Sequence, residues 1–323
     1  MATQPNSRPG SLWLILAAFA AVYLIWGSTY LAIKYVIETI PPFIAAGSRN
    51  LFAGLVLYLI ARQRGDAAPT RLQWRDGVLA GILMITVGNG GVTWAEKSIS
   101  SSIAALLVGL TPVWMVLFDW LRPRGTKPSG LVMLGLAVGF AGVALLALSP
   151  KDSPHSTYGW GVAAVLAASL CWAFGSIFNR TAHKPAGPFM PGATQLTTGG
   201  AILFVIATFA GEWNQFSFAQ ISLRSFVAWL YLMIAGSIIA YTAYVWLLQA
   251  TSPARVSTYA YVNPFVAVLL GCTIGGEPLS REMMIAGALI IAAVVLVLRG
   301  TNSKIAAEKR EMTRSPKTCT ATE

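Results

Sequence analysis

The stretch GVTWAEKSISSSIAALLVGLTPVWMVLFDW, residues 91–120, returns in altered form as AYVWLLQATSPARVSTYAYVNPFVAVLLGC, residues 243–272. At this offset of 152, Trp94 falls on Trp246 and Pro112 on Pro264; further on, Gly135 falls on Gly287 and Val143 on Val295. Nearer the start the offset is 146, with Trp26 on Trp172, Pro42 on Pro188, Phe43 on Phe189, Gly54 on Gly200 and Leu57 on Leu203. The six-residue change lies in the loop after the seventh apolar stretch. The chain therefore contains one unit twice, and each copy holds five apolar spans. An odd count makes the second copy enter a membrane upside down relative to the first. Inverted repeats of this kind mark alternating-access carriers.

Composition places the repeat in a bilayer. The chain is 55% hydrophobic and 11% charged, against about 25% charged in a soluble domain, and its mean hydropathy is +0.63. A helix needs roughly 20 apolar residues to cross the hydrocarbon core. Ten stretches qualify: 12–37, 43–61, 77–96, 99–121, 130–149, 159–180, 189–210, 225–249, 254–274 and 282–299. The alternation of a membrane β-barrel is absent. The expected fold is an all-α integral membrane protein with ten transmembrane helices in two inverted five-helix repeats. The expected organisation is an N-terminal tail at 1–11, a first repeat at 12–149, an external linker at 150–158, a second repeat at 159–299 and a disordered tail at 300–323. The first stretch is too long for the h-region of a cleavable signal peptide and reads as a retained helix.

The formal charge of +11 has a membrane explanation. With the N-terminus inside, 17 of the 23 basic residues fall in inner segments, including Arg62, Arg64, Arg71 and Arg75 in one loop and Arg299 to Lys317 in the tail. That asymmetry is the positive-inside rule and sets both termini in the cytoplasm. It leaves no basic surface for nucleic acid. Other classes lack their motifs. There is no phosphate-binding G-x-x-x-x-G-K-[ST], no H-E-x-x-H and no G-x-S-x-G. The three cysteines have neither metal-site nor disulfide spacing. The reading is of a chain without enzyme activity, metal or cofactor. A membrane scaffold is disfavoured because little chain lies outside the spans to bind a partner.

Polar and aromatic residues inside the spans are expensive against lipid and belong on the bundle interior. They concentrate in spans one, three, four, six, eight and nine, while spans two, five, seven and ten are less aromatic. Thr111-Pro112 and Asn263-Pro264 occupy equivalent places. A proline frees the carbonyl one turn earlier and marks a kink or hinge, and Thr111 and Asn263 are candidates to satisfy the freed group. Gly135, Gly139 and Gly142, with Gly287 in the matching span, let backbones approach closely. These helices are expected to pack on each other or at a homodimer contact. Arg49 lies roughly 10 Å into the second span, opposite Gln195 in the other copy, and its role is left open. No buried carboxylate pair is legible, so no coupling ion can be named.

Taken in order, Trp26-Gly27-Ser28-Thr29-Tyr30, Pro41-Pro42 leading to Arg49, Pro112, Pro264, and Gly276-Glu277-Pro278-Leu279 followed by Gly287 resemble the EamA family of the drug/metabolite transporter superfamily. The resemblance covers about residues 12–299. The first copy departs from it, with Gly125 opposite Glu277, so the role of that glutamate also stays open. The resemblance implies export of small metabolites, such as amino acids, or of toxic compounds across a bacterial inner membrane. It also implies a central cavity between the first, third, fourth, sixth, eighth and ninth helices. Onto that cavity are carried Trp26, Ser28, Asn89, Trp94, Thr111, Trp172, Tyr241, Trp246, Tyr259 and Asn263. An uncharged aromatic and amide lining favours neutral or zwitterionic solutes. The alternative is an organic-anion or nucleotide-sugar carrier, which would want more buried arginine than Arg49 alone. The expected partners are a small-molecule substrate and the lipid bilayer.

Overall fold

A computed structural model describes residues 12–121, 128–148, 158–251, 256 and 258–314, with only the backbone from 301 onward. The described regular structure is helical: α1 Leu12–Val36, α2 Pro42–Gln63, α3 Arg71–Ala95, α4 Ser101–Val108, α5 Thr111–Leu121, α6 Gly130–Ala147, α7 Tyr158–Thr181, α8 Met190–Phe209, α9 Leu223–Ala250, α10 Tyr259–Thr273 and α11 Arg281–Arg314. Two short 3-10 turns, Glu212–Asn214 and Phe218–Gln220, sit between α8 and α9.

Among the described residues, seven helical runs are long and apolar enough to cross a membrane: α1, α2, α3, Ser101–Phe118, α7, α8 and α9. The ten expected spans are thus seven on this measure. Gly130–Leu146 and Val262–Thr273 are shorter apolar helices, and the 18 residues of α6 reach only about 27 Å at 1.5 Å per residue. The expected linker at 150–158 lies almost wholly outside the described residues. The tail also departs from expectation, since α11 continues as helix to Arg314. Low apolar content suggested disorder, but Lys304, Ala306, Ala307, Glu308, Lys309 and Arg310 are strong helix formers.

Local chemistry starts several helices where short loops require it. Thr70 and Gln73 form a capping box ahead of α3. The side chains of Ser100, Ser129 and Ser222 accept from the backbone N–H groups of Ile103, Val132 and Ser225. Many large apolar residues face outward, among them Trp13, Leu24, Leu59, Phe209 and Phe265, as a bilayer requires.

Two antiparallel helix pairs join the copies. In α2 against α8, a Cβ on Gly200 would lie 2.5 Å from the Leu51 nitrogen and 2.9 Å from the Gly47 oxygen. Gly54 meets the Thr197 nitrogen at 2.5 Å in the same sense. In α6 against α11, Gly135 faces Ala293 and Val297, Gly139 faces Ala293, and Gly142 faces Ala286 and Ile290. The glycine face of α6 is therefore used within the chain, while Gly287 abuts Leu106 of α4.

Two features concern the helices between these pairs. Residues 81–89 of α3 and 232–240 of α9 are π-helical, at nearly the repeat offset. Such i→i+5 turns hold more residues than α-turns, rotate the rest of the helix relative to an α-helical phase, and recur at functional sites. Periodicity arguments could not reveal them. The two proline sites also differ. Before Pro112 the helix breaks at Gly109–Leu110, and Thr111 Oγ1 donates to the Val108 oxygen at 2.6 Å, the carbonyl that Pro112 leaves free. Pro264 stays inside α10. With its nitrogen turned toward two carbonyls, Asn263 donates to Tyr23 O at 3.1 Å and Tyr259 O at 3.3 Å, so it does not serve the carbonyl of Ala260. Gly109 packs against the Pro264 ring, and the two sites meet.

Candidate functional site

Between α1, α2, α3, α4, α7, α8, α9 and α10 lies a cavity of about 80 Å³. One water occupies about 30 Å³ of liquid, so the space holds two or three waters, well below the roughly 300 Å³ of a pocket for a drug-sized ligand. This conformation leaves little room at its site. The wall includes both π-helical segments, through Ile85, Gly88 and Asn89 on one side and Gly236 and Ser237 on the other.

One side of the cavity is polar. Arg49, 3% exposed, donates through Nη1 to Ser237 Oγ at 3.0 Å and through Nη2 to Asn89 Oδ1. Asn50 joins the network: its Nδ2 reaches Asn89 Oδ1 at 3.2 Å, and its Oδ1 accepts from Ser237 at 2.8 Å. The Arg49 Nε is buried with no partner among the described residues. A planar guanidinium with its Nε–H unspent is suited to a carboxylate. The other copy builds the same helix pairing from different groups. Gln195, opposite Arg49 in the repeat, accepts from Tyr241 at 2.6 Å, just as Arg49 meets Asn89. Its Nε2 donates to Asn179 at 3.1 Å.

The other side is aromatic. The Trp26 ring packs on Trp172, Tyr244 and Tyr259 at centroid distances of 5.3, 4.8 and 5.7 Å. Trp172 contacts Tyr241 and Tyr244 at 6.2 and 5.6 Å. Hydrogen bonds hold the rings: Trp26 Nε1 donates to Gly236 O at 3.3 Å, Trp172 Nε1 to the Tyr244 hydroxyl at 3.2 Å, and Tyr244 pairs with Ser176 at 2.8 Å.

Carboxylates tie the copies together at the ends of the bundle. At the end holding the α3–α4 loop, Glu277 accepts from the Ser101 nitrogen at 3.0 Å and hydroxyl at 2.7 Å, from the Ser102 nitrogen at 3.1 Å and hydroxyl, and from Lys34 at 3.3 Å. The second copy thus caps α4 of the first. Nearby, Glu212 accepts from the backbone nitrogens of Phe43 and Ile44 at 3.2 and 2.9 Å and caps α2. At the opposite end, Asp76 accepts from the His183 nitrogen at 2.8 Å, approaches its Nδ1 at 2.9 Å, and meets Arg75.

The EamA-like transporter family matches residues 8–148 and again 159–299. The chain belongs to this family. It is 40% identical to the inner membrane transporter YedA of Escherichia coli (strain K12) over 287 residues, 88% of this chain and 91% of that protein. It is 28% identical to protein PecM of Dickeya dadantii (strain 3937) over 84% of this chain and 88% of that one. A crystal structure aligns with a TM-score of 0.62 at 21% identity, covering 90% of this chain and 99% of that chain, which establishes likeness of fold. The EamA assignment and the apolar helices make the protein a multi-pass membrane transporter with homologues in the inner membrane.

Of the residues expected around the cavity, Trp26, Asn89, Trp172, Tyr241, Tyr259 and Asn263 line it. The others lie elsewhere. Ser28 donates to Ile25 O at 2.8 Å and pairs with Tyr231. Trp94 lines a separate vestibule with Pro41, Phe43, Lys97 and Glu212. Thr111 is fully buried at the helix break. Trp246 packs beside the core shared by α2 and α8. Arg49, Asn50, Tyr30 and Ser237, outside that expected set, also line the cavity. Setting α2 aside as poorly aromatic discounted a buried arginine and asparagine in consecutive positions, which are the stronger signal in a bilayer.

The Glu277 cap has a pH signature. Burial alone would raise this carboxyl, but the Ser102 and Ser101 donors and Lys34 hold it below its ordinary value. A lowered folded value means that the ionised cap stabilises above the ordinary carboxylate pKa of about 4.3, and that this is lost as pH falls through the lowered value. Wild-type protein should therefore lose thermal stability on acidification more steeply than Glu277→Gln. Melting curves of both in detergent check this, and parallel curves would remove Glu277 from the cause. Glu212 runs the other way, its carboxyl raised by burial against the Ile44 and Phe43 donors and Lys97, so only the difference between wild type and variant isolates Glu277.

Proposed function

We propose that this chain exports small neutral or zwitterionic solutes, amino acids among them, by alternating access between two inverted five-helix repeats with both termini cytoplasmic. The observation that carries the reading is the two-sided cavity, with one guanidinium and its amides facing a cage of tryptophan and tyrosine rings. A solute carboxylate meets Arg49, and its apolar part meets Trp26 and Trp172. The antiparallel α2–α8 and α6–α11 pairs support the inverted arrangement, since each couples equivalent helices of the two copies. So small a cavity fits a stage of the cycle in which the site is contracted. The carboxylate contacts at both ends are the natural gates: opening one side breaks those of Glu277 and Glu212, opening the other those of Asp76.

The test is flux into proteoliposomes with a panel of amino acids, dyes and organic anions. Saturable flux of a neutral or zwitterionic member is expected. Its absence across the panel removes the reading. Flux of organic anions alone favours the second reading, for which the unspent Arg49 donor is the supporting observation. In the same assay Trp26→Ala should lower flux about 5-fold or more, one ring's packing being worth about 1 kcal/mol or more. Trp246→Ala should stay within about 2-fold, because that ring does not line the cavity.

A further inference from the structure

The sequence shows no carboxylate pair, yet the fold buries a carboxyl group that neither the scaffold nor the cavity network uses. Glu96 follows α3 and is 7% exposed. Both of its oxygens are buried, and neither has a hydrogen-bonding partner among the described residues. Its neighbours along the chain line two spaces. Val92, one turn earlier, lines the central cavity, while Trp94 and Lys97 line the vestibule. Four groups face it within electrostatic range: Tyr30 and Lys34 from α1, Arg49 from α2, and Glu277 from the segment before α11. From α7 the facing stretch 161–168 is GVAAVLAA, without charge, and the Tyr158 hydroxyl is spent on Leu146 O.

We propose that Glu96 is a proton-binding site through which solute movement is coupled to a proton gradient, an inference that rests on the alternating-access reading above. A buried ionised carboxylate without partners is costly, and a buried neutral one much less so. Metal ions are a poorer fit, because a hard cation wants several oxygen ligands whereas the neighbours of Glu96 include two cations. The proton passes from water in the opened vestibule to a carboxyl oxygen of Glu96, and returns to water when the other side opens. No bond other than O–H forms or breaks. The protonation state also acts on the gate. Lys34 now joins α1 to the second copy through Glu277 and the Gly275 oxygen at 2.9 Å. Arg49 is held by Asn89 and Ser237. An ionised Glu96 competes for both cations, and so loosens the Lys34–Glu277 link and the anion-facing side of the cavity together. A protonated Glu96 leaves both in place.

The test uses the full chain in vesicles of phosphatidylethanolamine and phosphatidylglycerol. Infrared difference spectra between about pH 4 and about pH 9 span the range in which a carboxyl group titrates. Wild type should show a protonated-carboxyl band that titrates, is absent in Glu96→Gln, returns shifted in Glu96→Asp, and persists in Glu277→Gln. No band sensitive to Glu96 overturns the proposal whatever the solute. On the flux side, an imposed proton gradient should raise accumulation of a transported panel member at least 10-fold in wild type, with most of that response lost in Glu96→Gln and partly restored in Glu96→Asp. Gel-filtration profiles and melting curves check that the variants are folded. Saturable wild-type flux that ignores the gradient overturns coupling and leaves the transporter reading standing. Absence of flux for the whole panel overturns that reading, and the infrared band still decides proton binding at Glu96.

Discussion

Replacing Arg49 with alanine should raise the KM for zwitterionic or anionic solutes about 10- to 100-fold. The magnitude comes from a single charge-assisted hydrogen bond, worth roughly 1.5–3 kcal/mol. Among the described residues the guanidinium is the one strong cation lining the cavity, and its fixed fork spans Asn89 and Ser237 with Nε left over. Arg49→Lys should not restore the KM, because an ammonium cannot hold both neighbours in that planar geometry and also present a third donor. Gln195→Ala, in the equivalent place of the other copy, should affect KM less, since its oxygen is already taken by Tyr241. Concentration-dependent flux measures all three. If Arg49→Ala lowers only the amount of folded protein and leaves KM unchanged, the arginine is structural and the solute charge is read elsewhere.

Gly200→Val should cost about 3 kcal/mol or more of stability and leave little folded transporter in the membrane. Overpacking a close contact typically costs about 1–3 kcal/mol, and here the added atoms meet backbone, at 2.5 Å from the Leu51 nitrogen and 2.9 Å from the Gly47 oxygen. Backbone cannot rotate away as a side chain can, so α2 and α8 would have to separate along their length. Their separation would also move Arg49 and Gln195, which occupy the same helices. Gly130→Val is the control, because nothing lies within 4 Å of a Cβ there. Yield of monodisperse protein and melting temperature give the readout. A Gly200→Val protein with wild-type melting would mean that the α2–α8 contact is looser than it stands.

The repeat, the apolar helical composition and the family were legible in the chain alone, because each rests on local pattern: apolar run length, spacing of matched residues and position of loop charges. Pro112 shows how far such reasoning reaches. The Thr111–Val108 contact closes within one turn, so sequence chemistry could anticipate it. Asn263 shows where it stops, since its partners include a carbonyl in α1, more than two hundred residues away. The π-helical turns were equally hidden. They rotate Asn89 and Ser237 in a way that a period of 3.6 does not describe.

The sequence by itself thus determined a duplicated membrane transporter and the general place of its polar and aromatic residues. Only the tertiary structure decided which of them share a cavity, that Arg49 and Asn50 of α2 belong to it while Trp94 and Trp246 do not, and that Glu96 is buried with no hydrogen-bonding partner among the described residues. The physical reason is that hydropathy is a property of each residue, whereas satisfaction of a buried polar group is a property of a pair. The second member of that pair is fixed only when helices far apart in the chain pack together.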